Sequence, residues 1–375
     1  MRDVNSGRHR ILYVVGQLGC GGLERQLWYL LRGMDREMFR PAVAVWNFNP
    51  KDLFVDRIRA LGVPVIGLDR RLGLWSAARD LRRLVREAEP EVLHSYSFHT
   101  NFPAWWAMRG TGGVALGALR GGYWEARYSA GWWRAALSSR FPEVIVANSR
   151  AAQRTAEIHR SVSAPRRVEF VTNGVDTEEY VPAPLPAASR FEIVGIGRLD
   201  RGKRWEHLLE ALVQFGCAAG SAWRCRIAGS GPLFGALQAQ RDQLGLAERV
   251  EFLGQREDVA ALLSSAHVCV LTSSFEGTPN VVLEAMAAGR PVVSTAVGDV
   301  PEIVRDGTDG FVVPAGDRAV LAKRILFLAK DRGALEQMAL SARRRVEERH
   351  SISALVQDTL NAYRSAGWPE GGGRR

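Results

Sequence analysis

The chain is poor in the groups that hold metals or run redox chemistry. Its 375 residues include four cysteines and seven histidines. Cys20, Cys217, Cys225 and Cys269 are scattered, with no CxxC pair and no His/Cys spacing of a metal site. A disulfide scaffold and a zinc module are thereby excluded, and buried reduced thiols of a cytoplasmic protein are the expectation. Long apolar runs are missing too. The first run, "ILYVV" at 11–15, is too short for the core of a secretion signal and ends in a glycine turn. No run approaches the roughly 18–20 residues of a membrane span. Lysine is scarce, at four of the 50 basic side chains. No basic-aromatic signature of RNA reading is present, so nucleic acid is not an expected partner. The expected location is the cytoplasm, with peripheral contact at the inner face of a membrane left open.

The net charge is +10, and it is lopsided. Residues 1–180 carry 26 basic and 18 acidic side chains, and the remainder carries 24 and 22. Such a surface attracts phosphates of any kind. The length suits two domains of ordinary size better than one. In the first half, β-type runs at 11–15, 41–46, 63–68, 91–95, 114–119, 143–148 and 168–172 alternate with segments of helical period. Leu23, Leu27, Leu30, Leu31 and Met34, for example, share one helix face. The proline-rich "VPAPLPAASR" (181–190) reads as a linker, and the alternation then restarts at 191–196, 223–229, 250–254, 267–272, 291–295 and 310–314. Repeated strand–helix–strand units mean parallel sheets. The predicted fold is α/β, with two doubly wound Rossmann-like domains facing across a cleft. The expected division is a first domain at 1–180, the linker, a second domain at 191–350, a helix at 351–368 packing back on the first domain, and a disordered tail at 369–375.

Ligands of such sheets bind at the strand C-termini, and four glycine-rich turns fall there. "GQLGCGGLE" (16–24) opens the first helix, where Gly21 and Gly22 permit either close approach of a ligand or merely a tight turn. It is not the GxGxxG dinucleotide fingerprint. In "GIGRLDRGKR" (195–204), Arg198 and Lys203 straddle a turn and either grip a diphosphate or face solvent. "AGSGP" (228–232), with Gly229 and Gly231, and "FLGQRED" (252–258) offer backbone groups to a base edge.

The most informative stretch is "SSFEGTPNVVLEAMAAGRPVVST" (273–295), which sets Glu276 and Glu284 eight positions apart. Pro279 suits a helix start, so the helix is expected to begin near 279. Diphosphate charge belongs at that N-terminus. A carboxylate is a poor partner for phosphate and a good acceptor for sugar hydroxyls. A ligand with a sugar on each side of a diphosphate fits, with Glu284 on a ribose and Glu276 on the other sugar. The plainer alternative is a dipole-favoured glutamate before the helix and a solvated one within it.

The block "SSFEGTPNVVLEAMAAGRPVVSTAVGDVPEIVRDGTDGFVVPAGD" (273–317) resembles the signature of retaining glycosyltransferases of the GT-B fold, family four (glycosyl transferases group 1), and the glutamate pair resembles its E-x7-E motif. "GIGRLDRGK", "GCGGLE", "IVANSRAAQ" (145–153) and "VTNGVD" (171–176) resemble further landmarks of that family. The resemblance implies metal-independent transfer of a sugar, with retained configuration, from a nucleoside-diphosphate donor of UDP or GDP type. No other cofactor is implied. Arg198 and Lys203 would hold the diphosphate, Glu284 the ribose and Glu276 the donor sugar. Gly21, Gly22, Gly229, Gly231, Gly277, Thr278, Pro279 and Asn280 would line the donor site. The chemistry would be electrostatic, with positive groups and helix N–H donors stabilising the leaving diphosphate. Two departures stand out. Of two histidines common near "VLHSYSFHT" (92–100), His94 fits the first and Tyr96 occupies the second. Where many members carry a reactive-centre histidine, "LRGGYWE" (119–125) has Arg120, which cannot act as a base but can bind leaving phosphate or an acceptor anion. His94, Tyr96, His99 and Tyr123 are the candidates on the acceptor side.

The first half is also rich in tryptophan. Trp105, Trp106, Trp124, Trp132 and Trp133 accompany Arg127, Arg134 and Arg140. These residues either lie on an anionic membrane, which suits a sugar or lipid-linked acceptor in cell-surface polysaccharide or glycolipid synthesis, or pack into a core or cleft. Two other functions compete with the transferase: a non-catalytic sugar-nucleotide binder, motivated by Arg120, and a sugar-nucleotide epimerase, which would need no acceptor.

Overall fold

The computed structural model describes residues 7–68, 73–159, 161–187 and 189–369. The chain forms two compact units. One runs to Gly174 and takes back the chain from Ile352; the other is Val175–Ser351.

In the first unit seven strands form one parallel sheet: β1 (His9–Val15), β2 (Phe39–Val45), β3 (Val65–Gly67), β4 (Val92–Ser95), β5 (Val114–Leu119), β6 (Val144–Ala147) and β7 (Val168–Phe170). Their order is β3-β2-β1-β4-β5-β6-β7. The second unit repeats the plan with β8 (Phe191–Ile196), β9 (Trp223–Ala228), β10 (Val250–Gly254), β11 (Val268–Leu271), β12 (Val292–Thr295) and β13 (Gly310–Val313), in the order β10-β9-β8-β11-β12-β13. All thirteen lie where the apolar runs predicted them, and each unit is a doubly wound Rossmann-like domain. The strands are almost wholly apolar because both faces are covered. Ile11, Tyr13 and Val15 of β1 join one core, and the intervening Leu12 and Val14 join the core on the other face.

In both sheets the chain order reverses beside the first strand, between β1 and β4 and between β8 and β11. There the connections leave in opposite directions and open a crevice at the strand C-termini. Both crevices receive the motifs singled out from sequence.

The structure places two segments differently from the sequence reading. Val175–Tyr180 groups with the second unit rather than the first, because Tyr180 and Val175 are buried in its core and Val175 N–H donates to His350 O at 2.8 Å. The proline-rich segment is not a free linker. Arg290 donates to Ala183 O at 3.0 Å, and Arg332 and His267 both bond Pro186 O, at 2.9 and 3.1 Å, so its carbonyls are tied along the second unit. The final helix, Ile352–Ser365, buries Leu355, Leu360 and Tyr363 in the first unit's core beside Leu27, Leu30 and Leu31. A Cβ on Gly33 would lie 2.5 Å from Ile352 Cγ2, so this glycine lets the two helices meet. The predicted tail, apart from Pro369, lies outside the described residues.

Candidate active site

In the second unit, the turn after β8 and the turn after β11 are built as one piece. Thr272 Oγ1 donates to Lys203 O at 2.9 Å, and Ser274 N–H donates to Gly202 O at 2.8 Å. Trp205 is fully buried and donates from its indole to Arg198 O at 2.8 Å. Arg204 adopts a left-handed conformation (φ 52°), a strain that persists only where surroundings enforce it. The result brings together two residues 73 positions apart. Lys203 Nζ lies 2.5 Å from Glu276 Oε1, and Ser273 Oγ donates to the same oxygen at 2.6 Å. Both partners are mostly buried, at 22% and 14% side-chain exposure. Arg198 does not join them. It is exposed, and its Nε lies 3.4 Å from Asp200.

The helix Asn280–Ala287 starts one residue after Pro279, which has no side chain able to cap it. Glu284 lies a turn and a half in and is 5% exposed, so the solvated alternative for this glutamate does not hold. Burial first, and the Glu284 carboxylate second, push the Cys269 thiol up to about 12. Gly277 O accepts from Asp299 N–H at 2.9 Å, and the Thr278 hydroxyl donates to Asp299 at 3.1 Å. Gly298, missed by sequence reading, makes this turn feasible: at φ +53°, its Cβ would lie 2.3 Å from the carbonyl oxygens of both Glu276 and Gly277.

Gly229 and Gly231 have a packing reason. A Cβ on Gly229 would lie 1.8 Å from Gly197 O, and one on Gly231 would lie 2.4 Å from Leu199 O. Leu199 N–H donates to Ser230 O and Leu233 N–H to Leu199 O, each at 3.0 Å. These glycines press the turn after β9 against the turn carrying Arg198.

In the first unit, the helix Gly22–Gly33 is capped by Gly21 with no side-chain bond. Its own Glu24 folds back, so that a Cβ on Gly21 would lie 2.3 Å from Glu24 Oε2. Glu24 is buried, and burial raises its pKa. The start of this helix thus already faces a carboxylate of its own. His99 is exposed and lies over Gly16, where a Cβ would be 2.9 Å from the imidazole.

His94 and Tyr96 are fully buried at the end of β4. Arg120, just past β5, stacks its guanidinium carbon 4.3 Å from the Tyr96 ring centroid. His94 Nδ1 lies 3.0 Å from the hydroxyl of Tyr363, which donates to the Tyr13 hydroxyl at 3.1 Å. Burial, and then the neighbouring Arg120 charge, hold the His94 pKa well below the usual histidine range. Tyr123 belongs elsewhere. It packs against Trp124 and His159 and takes a 3.3 Å bond from Arg127. Tyr363 and Tyr13 were not singled out from sequence, because the pairing spans 350 positions and no local pattern marks it.

The tryptophans divide. Trp105 and Trp106 are partly buried against a core cluster. Trp124, Trp132 and Trp133 are 55%, 82% and 53% exposed, with Tyr128 at 92%, on the helices Tyr123–Ala130 and Trp132–Arg140. No helix among the described residues is long and apolar enough to cross a membrane.

The chain was compared with known proteins. The family model Glycosyltransferase Family 4 matches residues 20–179, and Glycosyl transferases group 1 matches residues 190–331. The putative colanic acid biosynthesis glycosyltransferase WcaL of Escherichia coli (strain K12) is 36% identical over 50% of this chain and 49% of its own. The putative glycosyltransferase EpsF of Bacillus subtilis (strain 168) is 27% identical over 77% and 80%. The matched stretch spans about half the length of the first of these relatives. The crystal structure of Anabaena HepE in complex with UDP and glucose superposes with a TM-score of 0.78 at 22% identity, covering 96% of this chain and 100% of that one. That likeness shows the shared GT-B fold.

Proposed function

We propose that this chain, which the family models Glycosyltransferase Family 4 and Glycosyl transferases group 1 match at residues 20–179 and 190–331, is a GT-B glycosyltransferase that transfers a sugar from a nucleoside-diphosphate donor to an acceptor hydroxyl with retention of configuration. The observation that carries the proposal is the Lys203–Glu276 pair at the β8/β11 crevice, with Glu284 buried in the adjoining helix. Lys203 has three N–H donors and spends one on Glu276, which leaves two for diphosphate oxygens. Arg198, exposed on the same turn, adds charge. The N-terminus of the Asn280–Ala287 helix adds a positive dipole end. Glu284 accepts from ribose hydroxyls and Glu276 from the donor sugar. Leaving-group charge is stabilised by these fixed positive groups, and the acceptor attacks the face that the diphosphate leaves. In this reading the fixed cations take the place of a metal ion, and transfer is proposed to be metal-independent.

The relative WcaL, a putative colanic acid biosynthesis glycosyltransferase, supports a role in polysaccharide synthesis. HepE, solved with UDP and glucose, supports a nucleotide-sugar donor. The exposed Trp124, Tyr128, Trp132 and Trp133, with Arg134 stacked on Trp133 at 5.1 Å, support contact with an anionic membrane surface and a lipid-linked acceptor.

A thermal-shift panel of UDP, GDP, ADP and their sugars tests the donor site. One nucleotide raises the melting temperature of the wild type by mass action, and Glu284→Ala loses the shift. If no nucleotide shifts the wild type, the donor site is wrong. A bound donor that no saccharide or lipid-linked acceptor turns over would favour the non-catalytic binder. Liposome flotation at low salt, with and without anionic lipid, decides the membrane contact.

A further inference from the structure

Apart from Arg36 Nη1, three side chains of the first unit keep buried polar atoms with no hydrogen bond of good geometry among the described residues: His94 Nε2, Tyr96 Oη, whose pKa burial raises and the adjacent Arg120 lowers, and the Nε and Nη2 of Arg120. They are neighbours, since the Tyr96 ring contacts both the Arg120 guanidinium at 4.3 Å and the His94 imidazole at 4.9 Å. Each such group is costly to leave unpaired, and a cluster of them calls for an explanation.

What each group offers is fixed by its surroundings. Nε and Nη2 are one edge of the guanidinium, two parallel donors whose spacing matches the oxygens of a carboxylate or phosphate. Arg120 makes no ion pair among the described residues, so no carboxylate of those residues neutralises it. The His94 tautomer follows from a chain of hydroxyls. Met34 Sδ can only accept, so the Tyr13 hydroxyl donates to it, at 3.3 Å. Tyr363 donates in turn to Tyr13, and its oxygen is left to accept from His94 Nδ1–H. Nε2 therefore carries a lone pair. An anion-binding edge, a phenol and a hydrogen-bond acceptor sit together at the end of β4 and β5.

We infer that His94, Tyr96 and Arg120 form a receptor for an anionic hydroxyl compound, a sugar or polyol bearing a carboxylate or phosphate. Arg120 holds the anion, and His94 Nε2 accepts the hydrogen of a neighbouring hydroxyl. The inference deepens the transferase reading, because the anion then belongs either to the acceptor or to the sugar of the donor.

The test is calorimetric titration of the full chain with glucose 1-phosphate, glucuronate and glucose, and separately with UDP-glucuronate and UDP-glucose. Wild type, Arg120→Gln, Arg120→Lys and His94→Phe are compared, each checked for native circular dichroism. The expected result is that one anionic ligand binds at least about tenfold tighter than its neutral counterpart. Arg120→Gln removes the preference, Arg120→Lys keeps only part of it, and His94→Phe weakens binding of anionic and neutral ligands alike. A preference confined to the free sugars assigns the anion to the acceptor, and one confined to the UDP-sugars assigns it to the donor. Binding without anion preference, or a preference that survives Arg120→Gln, overturns the inference. Loss of UDP binding with the glucose 1-phosphate preference intact would sink the transferase reading and leave this site standing. The reverse outcome would sink this site alone.

Discussion

Lys203 is the residue on which the donor reading depends most, and its pairing with Glu276 allows a two-sided prediction. At an effective dielectric of about 20, two unit charges a few ångströms apart attract by about 4 kcal/mol, and desolvation of this mostly buried pair leaves a net of about 1.5–3 kcal/mol. A diphosphate arriving at Lys203 competes with Glu276 for the same ammonium. Lys203→Met removes the cation and leaves the Glu276 charge unpaired beside the incoming phosphates, so UDP binding weakens by about ten- to a hundredfold. Glu276→Gln keeps the acceptor oxygen at 2.5 Å but removes the competing charge, so UDP binding holds or tightens while sugar transfer falls. The double variant binds UDP better than Lys203→Met alone, because the stranded carboxylate is gone. Isothermal titration of the four proteins with UDP measures this, and the non-additivity isolates the pair. Lys203→Met binding UDP within twofold of wild type would refute the assignment. So would Glu276→Gln weakening UDP as much as Lys203→Met does.

Other expectations follow from single contacts. If Lys203, Arg198 and the helix N-terminus carry the leaving charge, transfer rates are unchanged by EDTA; a rate that collapses and returns with added divalent metal contradicts this. Gly229→Ala sets a Cβ 1.8 Å from Gly197 O and lowers stability by about 3 kcal/mol or more, whereas Gly245→Ala meets no neighbour within 4 Å and costs about 1 kcal/mol for its positive φ; equal melting temperatures would be wrong for this reason. Asp309 is fully buried, and although burial raises its pKa, Arg305 and Ser341 outweigh that and hold it below the usual carboxylate value. Its contribution is therefore complete above the ordinary carboxylate pKa and is lost as pH falls through the depressed one, and Asp309→Asn removes about 2–3 kcal/mol at neutral pH and flattens that acid limb, as thermal melts across pH would reveal.

The fold was readable because a parallel sheet covered on both faces writes itself as short apolar runs. Turn chemistry then located both crevices. The glutamate pair was legible for the same local reason, since Pro279 fixes where the helix begins. Harder to read was anything that depended on which backbones approach each other. Gly229 and Gly231 read as ligand loops, and the close approach of Gly197 and Leu199, which by itself requires glycine at both positions, leaves no mark on the sequence. The proline-rich 181–190 stretch looked like a tether because the carbonyls that Arg290, His267 and Arg332 take up leave no mark on composition. Tyr363 could not be connected with His94 at all, as 269 positions separate them.

The last helix carries a consequence for biosynthesis. The first unit's sheet is finished by β7, yet Leu355, Leu360 and Tyr363 of its core are translated only after the whole of the second unit. At about 5–20 residues per second the nascent first unit waits roughly ten to forty seconds for its final helix. During that interval His94 lacks the Tyr363 hydroxyl, and the apolar face of the Gly22–Gly33 helix lacks its cover. A ribosome that stalls or a protease that clips before Ile352 leaves a chain with every motif intact and its first unit unfinished. Completion of the first unit's core thus waits on translation of the second unit.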